Sequence, residues 1–265
     1  MAEQALKSYS KTVRWQPSLG AKVAMVRIAA VLLALVCYEG LSRSGLFFEG
    51  ILPSALEIGD ETVKLLTSSE FYGHLGVTAT EVLAGLAIGT IAGLAVGIYF
   101  AASRLVGDVL EPILLWISPT PKIVFLPIIM LIFGLGMEAK IAKAAMSAFF
   151  PVFVASYASA RGIRPVYLRV IESLNGTVLD KIRYAYFPSM LRGVLGSLRL
   201  ALGVAIVGTL LAEIKMANAG LGYLIIQSYN FFRIPEMYAI LLITFVIALG
   251  ANAIIDRLVS KVEMK

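Results

Sequence analysis

The sequence has few of the side chains that most enzymatic sites need. It contains one cysteine, Cys37, and one histidine, His74, among 265 residues. A structural metal site of the His/Cys type needs about four such ligands, so we expect no metal site of that type. A phosphate-binding Gly-rich motif with lysine and a nucleophile elbow are also lacking. We therefore expect no catalytic residues, no cofactor and no metal, and we interpret His74 as a solvated residue of a polar outer loop.

Charge is scarce as well, and this composition indicates an integral membrane protein. Charged residues make up 15% of the chain and hydrophobic residues 59%, against about 25% and roughly 45–50% in soluble domains. A membrane-spanning helix needs about 20 mostly apolar residues. On this criterion we predict an all-α polytopic membrane helix bundle with about six transmembrane helices, at residues 23–41, 77–102, 109–134, 141–160, 190–212 and 237–255.

The basic residues predict the orientation of these spans. Lysine and arginine are concentrated in residues 1–22, 161–183 and 257–265, so the positive-inside rule places both termini in the cytoplasm. We interpret the net charge of +6 as a signal for topology and for contact with anionic membrane lipid, and expect no nucleic acid partner. The predicted organisation is a cytoplasmic segment 1–22, a transmembrane domain 23–257 and a cytoplasmic tail 258–265.

The second predicted span carries a glycine at every fourth position: Gly85, Gly89, Gly93 and Gly97. Residues four apart lie on one face of a helix, so these glycines form a groove that another helix can approach closely. The neighbour is either a helix of the same bundle or a helix of a second copy.

The third predicted span is interrupted by prolines at positions 119, 121 and 127. Each removes a backbone donor and disfavours helical geometry before it, so we expect a broken or kinked helix. Irregular backbone at membrane depth is tolerated against protein or a water-filled cavity, which predicts a translocation pathway at Pro119 and Pro121. A kink that only shapes the bundle is the alternative.

Two cations are assigned to this predicted pathway, Lys122 and Arg199, and both suit an anionic substrate. Lys122 follows Pro121 inside the break, where a cation facing lipid would be costly. The alternative interpretation of both cations is an interior ion pair, for Lys122 with Glu81 or Glu39.

A polar segment, residues 165–188, separates the fourth and fifth predicted spans. We predict a short amphipathic helix after Pro165, a turn at Asn175-Gly176 and a second short helix that ends at Pro188. An exposed apolar stripe on a cytoplasmic helix suits a soluble partner, so the segment is a predicted docking element. The predicted stripe consists of Leu168, Ile171, Leu174 and Val178.

Several ordered stretches resemble permease subunits of bacterial binding-protein-dependent ABC importers, in the branch of the aliphatic sulfonate, taurine, nitrate and bicarbonate systems. They are ILPSALEI, LAGLAIGTIAGLAVG, SPTPKIVFLPIIMLIFGLG, KIAKAAMSAFFPVF, LRLALGVAIVGTLLAE and AGLGYLI, and together they cover roughly residues 50 to 257. The resemblance implies a multi-pass protein of the bacterial inner membrane that works with cytoplasmic ABC ATPase subunits, a second permease copy and an external solute-binding protein.

The family's cytoplasmic signature is matched only in part. It reads Glu-Ala-Ala, three residues, Gly, nine residues and Ile-x-Leu-Pro, and its final proline corresponds to Pro188. Arg169 then replaces the glutamate, with Glu172 three residues later, and Asn175 replaces the glycine, with Gly176 next to it. The resemblance implies that these five residues couple the permease to the ATPase. Glu81 also departs from the family pattern, which commonly has a basic residue there.

Other classes of function stay open at this point. An ion-coupled secondary transporter would use an intramembrane ion site and often internal repeats, and no convincing repeat is found. A membrane-embedded enzyme would need a compact polar catalytic site near one interface. The small-molecule substrate of an ABC permease also stays open among sulfonates, taurine, nitrate, bicarbonate, aromatic carboxylates and thiamine-precursor pyrimidines.

Overall fold

The computed structural model describes residues 19–46, 50–216 and 218–263, and all regular secondary structure within these ranges is helical. Most of the predicted N-terminal segment and the last two residues of the predicted tail lie outside the described residues. The chain divides into two units, residues 1–57 and 58–265.

The first unit contains the apolar helix α1, Leu19–Arg43, and the start of α2, Ala55–Thr67. A capping box that the sequence predicts begins α2. The Ser54 N–H donates to Glu57 Oε2 at 2.7 Å, and the Glu57 N–H donates to Ser54 Oγ at 3.3 Å. The first N–H of α2 also donates to Glu39 Oε2 at 3.0 Å, so two carboxylates satisfy donors that a helix leaves unpaired at its N-terminus.

The remaining helices belong to the second unit. They are α3 Ser69–Ala102, α4 Arg104–Ile117, a 3₁₀ turn Lys122–Phe125, α5 Leu126–Phe133, α6 Met137–Arg161, α7 Pro165–Ser173, α8 Val178–Lys181, a π turn Ile182–Tyr186, α9 Phe187–Met216, α10 Leu221–Asn230 and α11 Ile234–Glu263.

Among the described residues, five helical segments are long and apolar enough to cross a membrane. They are Lys22–Arg43, Ser69–Ala102, Met137–Arg161, Val178–Met216 and Ile234–Arg257. The third predicted span, residues 109–134, is not one helix, because α4 ends before Pro119 and Pro121 and a new helix begins only at Leu126. The proline break predicted from the sequence is therefore present, and it divides this span into shorter pieces.

Two helices extend beyond the spans predicted from the sequence. The second span begins at Ser69, eight residues before the predicted start, so His74 lies within α3 and not in a loop. The last helix continues to Glu263, so residues 258–263 of the predicted tail are a helical extension of α11. A hydropathy criterion identifies only the apolar part of a helix, whereas the backbone continues helical into the polar flanks.

The core of the second unit is the close packing of α3 against α6. Gly85, Gly89, Gly93 and Gly97 of α3 are buried, and each faces the backbone or a small side chain of α6. A Cβ added to Gly97 would lie 2.6 Å from the Cβ of Ser156, closer than real side chains approach. The glycine face thus packs inside this chain, and the missing side chains let the two helix backbones approach closely.

Candidate functional site

A cavity of about 770 Å³ lies between α6, α9 and the broken segment after α4. Three of the four residues assigned to a pathway from the sequence line it: Pro121, Lys122 and Arg199. Pro119 is not among the lining residues. Most of the wall is apolar, with side chains such as Phe150 and Leu211. The broken segment with Lys122 and the distant Arg199 of α9 therefore line one cavity.

Lys122 contacts the broken backbone and also lines the cavity. Its ammonium donates to the carbonyl of Ser118 and, at 3.4 Å, to that of Thr120. It also lies 4.7 Å from the ring centroid of Phe150, a cation–π distance. The alternative ion pair with Glu81 is not formed, because Glu81 binds a different lysine. Glu39, in the first unit, pairs with Arg43 at 2.6 Å.

The two other cations of the cavity differ in their partners. Arg199 forms an ion pair with Asp256 of α11, so its charge is compensated within the chain. Lys143 of α6 is buried and donates to Ser147 Oγ at 3.1 Å. The sequence places Lys143 inside a span, but nothing in the sequence shows that it faces the same cavity as Lys122.

A buried polar network joins α3, α6 and α9. Glu81 Oε1 lies 2.8 Å from Lys140 Nζ, and both side chains are almost completely buried. Glu213 accepts from Thr78 Oγ1 at 2.6 Å and from the Gly222 N–H at 2.7 Å. Sequence reasoning identified Glu81 and Glu213 as ionisable, but it did not identify Lys140 as the partner of Glu81.

The Ala-Gly-Leu-Gly stretch at the start of α10 contacts this network. Gly220 has a φ of +111°, and a Cβ there would overlap Glu213 Oε1, so the position requires glycine on both grounds. The Gly220 N–H donates to His74 Nδ1 at 3.0 Å, and the His74 ring stacks on Tyr223 at 5.7 Å. His74 is thus a packed residue that holds the start of α10, and its interpretation as a solvated loop histidine is wrong.

The predicted docking segment contains a helix and a turn at the expected positions. Asn175 has a φ of +54°, in the left-handed region. The Gly176 N–H donates to the Ile171 carbonyl at 2.8 Å, and the Asn175 N–H donates to that of Glu172 at 3.0 Å. These two bonds form a Schellman motif that ends α7. Glu172 also forms an ion pair at 2.6 Å with Lys181, which ties the two sides of the turn together.

The second helix of this segment does not end at Pro188, contrary to the sequence prediction. Pro188 lies in the first turn of α9, and the π turn Ile182–Tyr186 precedes it. A proline cannot donate to the carbonyl four residues earlier and clashes with it in a regular helix. Here the Phe187 N–H bonds to the Ile182 carbonyl five residues back, which widens the helix at that point. The chain continues without a stop from Thr177, whose side chain and Asp180 form a capping box, into α9.

The apolar surface of the docking segment also differs from the predicted stripe. Leu168 packs against the core of the second unit, and Ile171 is partly buried. Leu174 and Val178 are exposed, at 76% and 73%. The exposed apolar side chains of the segment also include Val166, Val170 and Leu179. Arg169 is exposed on α7.

Comparison with known proteins agrees with this architecture. The sequence profile of the family described as "Binding-protein-dependent transport system inner membrane component" matches residues 85–264. An aliphatic sulfonates transport permease protein of Bacillus subtilis is 27% identical over 83% of this chain and 79% of its own length. The taurine transport system permease protein of Escherichia coli is 25% identical over 95% of this chain and 94% of its own length.

A solved structure shows the same fold. A chain of the MetNI methionine ABC transporter, crystallised in inward-facing conformations, superposes with a TM-score of 0.61 at 18% identity, covering 70% of this chain and 93% of that chain. The chain therefore belongs to the family of inner membrane components of binding-protein-dependent transport systems, and it is a multi-pass permease subunit of an ABC importer of the bacterial inner membrane.

Proposed function

We propose that two copies of this permease form a pathway for a small anion that an external binding protein delivers and that separate cytoplasmic ATPase subunits drive across the membrane. The observation that carries the proposal is the cavity where Lys122, Lys143 and Arg199 meet beside the broken helix. The names of the sulfonate and taurine permeases among the relatives favour a sulfonate.

The position of Lys122 supports a pathway that favours anions. A cation near the middle of a membrane is costly unless it faces a polar cavity or a partner. The acceptors that Lys122 contacts are carbonyls of the broken segment, not a carboxylate, so its positive charge is not cancelled. A cation in such a place lowers the electrostatic barrier to a passing anion without holding the anion so firmly that release fails.

The test of the pathway is the substitution Lys122→Met, which keeps the approximate length of the side chain and removes its charge. We expect uptake of the anionic substrate by proteoliposomes to fall about tenfold, equivalent to about 1.4 kcal/mol of barrier. Affinity for the binding protein, assembly and basal ATP hydrolysis should change little. Lys122→Arg is the control that retains the charge, and it should retain most of the flux.

Two results would contradict this part of the proposal. Undiminished flux through the Lys122→Met transporter would remove Lys122 from the pathway. Uptake that persists without ATP and stops when an ion gradient is collapsed would favour an ion-coupled secondary transporter instead.

We also propose that residues 165–188 dock on the ATPase, with Arg169, Glu172, Asn175, Gly176 and Pro188 in or beside the contact. The exposed apolar side chains on a short polar segment suit a soluble partner that covers them. The Schellman turn and the Glu172–Lys181 ion pair hold the segment in one shape before it binds. Docking of a preorganised segment costs less conformational entropy than docking of a flexible one.

Gly176→Val should weaken this docking. A Cβ at Gly176 would overlap the Ile171 side chain and lie 2.8 Å from the Ile171 carbonyl, so the turn must distort. We expect the variant to insert normally in the membrane, to lose most copurifying ATPase and to lose uptake in proportion. The matched control is Gly162→Val, because a Cβ at that position meets its neighbours only at 3.5 Å. If Gly176→Val copurifies the ATPase and transports normally, the docking assignment is wrong.

A further inference from the structure

Of the three cations that line the cavity, Lys143 is the one that is buried. Its side chain is 2% exposed, yet no carboxylate lies within ion-pair distance of it in the described part of the chain. Lys140, one turn earlier on α6, has Glu81 at 2.8 Å, and Arg199 has Asp256. A buried ammonium without a counterion is strongly unfavourable, so a buried lysine normally has an anionic partner.

The polar contacts of Lys143 leave it able to bind more. Its Nζ donates to Ser147 Oγ at 3.1 Å, and Ser147 Oγ donates to the Lys143 carbonyl at 3.0 Å. Because an ammonium has three donors, this single described hydrogen bond does not saturate Lys143. Ser147 is itself 3% exposed, so the two side chains form a buried polar pair in the cavity wall.

Helix α9 packs directly beside this polar pair in the cavity wall. A Cβ at Gly208 would lie 2.6 Å from Ser147 Oγ and 3.4 Å from Lys143 Nζ. Glycine at this position therefore allows the α9 backbone to lie directly against Lys143 and Ser147. Gly203, which also lines the cavity, has no atom within 4 Å of an added Cβ, so it leaves open space on the same helix.

The rest of the cavity suits an apolar body attached to an anionic head. Its wall includes Phe150, Val154 and Val207, and Lys122 stands over the Phe150 ring. Oxygen atoms of a sulfonate or carboxylate can accept from an ammonium through charge-assisted hydrogen bonds. A neutral solute would leave the charge of Lys143 uncompensated.

We infer that Lys143 and Ser147 form an anion-binding subsite in this cavity, which takes the charged head of a small organic monoanion of the alkylsulfonate type while the apolar wall contacts its carbon chain. The inference rests on the proposed function, because it assigns the head-group contact of the anion that the pathway carries. In this assignment, Lys143 selects anionic over neutral solutes, and Lys122 lies nearby as a second cation.

The test measures the electrostatic potential of the cavity in the assembled permease–ATPase complex in lipid nanodiscs. The only cysteine of this chain is removed by Cys37→Ala, and Val207→Cys introduces a thiol next to Gly208. Two methanethiosulfonate reagents of similar size compete for this thiol, one bearing an ethylsulfonate and the other an ethyltrimethylammonium group. In both reactions the thiolate attacks sulfur, forms a mixed disulfide and releases methanesulfinate.

Lys143→Met should lower the ratio of the anionic to the cationic reaction rate about tenfold, the order expected when one charge leaves a low-dielectric site. Lys143→Arg should keep the ratio high. Lys64→Met, which neutralises an exposed lysine of α2, should leave it unchanged. A ratio that is the same with methionine and with lysine at position 143 would overturn the inference.

A second measurement keeps Lys143 intact and so does not depend on the folding of a variant. Ethanesulfonate should slow modification of the introduced thiol, whereas the neutral ethanesulfonamide at equal concentration should not. Equal protection by both compounds, or by neither, would overturn the subsite. Neither measurement uses ATP or the binding protein. The two proposals can therefore be separated. If ethanesulfonate protects the thiol selectively but Lys122→Met leaves uptake unchanged, the subsite is supported and the role of Lys122 in the pathway is contradicted.

Discussion

Gly89→Ala is expected to destabilise the permease, although alanine normally stabilises a helix relative to glycine by roughly 0.5–1 kcal/mol. A Cβ at Gly89 would overlap the Ala145 carbonyl oxygen and lie 2.9 Å from the Ala148 Cβ. The backbone of α6 cannot rotate away from such a contact as a long side chain could, so α3 and α6 must move apart. Overpacking of this kind costs about 1–3 kcal/mol, and the larger Gly89→Leu should prevent assembly.

The control for this prediction lies on the same helix. Gly76 of α3 is exposed and has no atom within 4 Å of an added Cβ. Gly76→Ala should therefore leave the melting temperature of the purified transporter unchanged or raise it, whereas Gly89→Ala should lower it. Gly93→Leu should act like Gly89→Leu, because a Cβ at Gly93 would lie 2.8 Å from the Phe149 carbonyl oxygen. If all of these variants have the same melting temperature, the contact between α3 and α6 is not as close as described.

Lys140→Met is the second substitution with a large expected effect. It leaves Glu81, which is 0% exposed, without the ammonium at 2.8 Å, and a second buried carboxylate, that of Glu213, lies in the same network. Removal of one partner of a buried ion pair costs about 3–5 kcal/mol, because the other charge stays buried without compensation. We expect a large fall in melting temperature and in the amount of transporter that assembles in the membrane.

A double substitution shows whether the lost stability comes from the unpaired charge of Glu81 or from the loss of the Lys140 side chain itself. In Lys140→Met with Glu81→Met, neither charge is buried, and apolar replacement of a whole ion pair is often neutral or stabilising. The double variant should thus recover most of the stability that Lys140→Met loses. Lys64→Met in α2 is the matched control for an exposed lysine and should change the melting temperature little. If the double variant is no more stable than Lys140→Met alone, Glu81 is not the partner whose charge matters.

The features that the sequence determined by itself are local. A membrane-spanning helix depends on the length of an apolar run, and five of the six predicted runs correspond to long apolar helices. Pro119 and Pro121, which lack a backbone donor, lie where the remaining run is broken, and Pro127 lies in the first turn of α5. The helix at Ala55 begins where Ser54 and Glu57 predict it, because a capping box involves only four consecutive residues.

The limits of this local reasoning are visible in the docking segment. The turn after α7 follows from Asn175 and Gly176, which tolerate the backbone that a Schellman motif needs. The sequence does not show that the helix continues past Pro188. A π turn before the proline accommodates it, so the packing of α9 determines whether the helix ends there. Likewise, Leu168 of the predicted apolar stripe packs against the core and Ile171 is partly buried, since a pattern of apolar residues does not show which neighbour covers them.

Contacts between distant segments were decided only by the tertiary structure. Lys140 and Lys143 lie about 60° apart around α6, from its 3.6 residues per turn, and the sequence gives no reason to treat them differently. In the fold, the close approach of α3 through its glycine face brings Glu81 to Lys140. On the adjacent side, α9 approaches through Gly208, and Lys143 faces the cavity that also contains Lys122. Lys140 is paired with a carboxylate, whereas Lys143 lines a cavity. The packing of the neighbouring helices, and not α6 itself, determines what each charge faces.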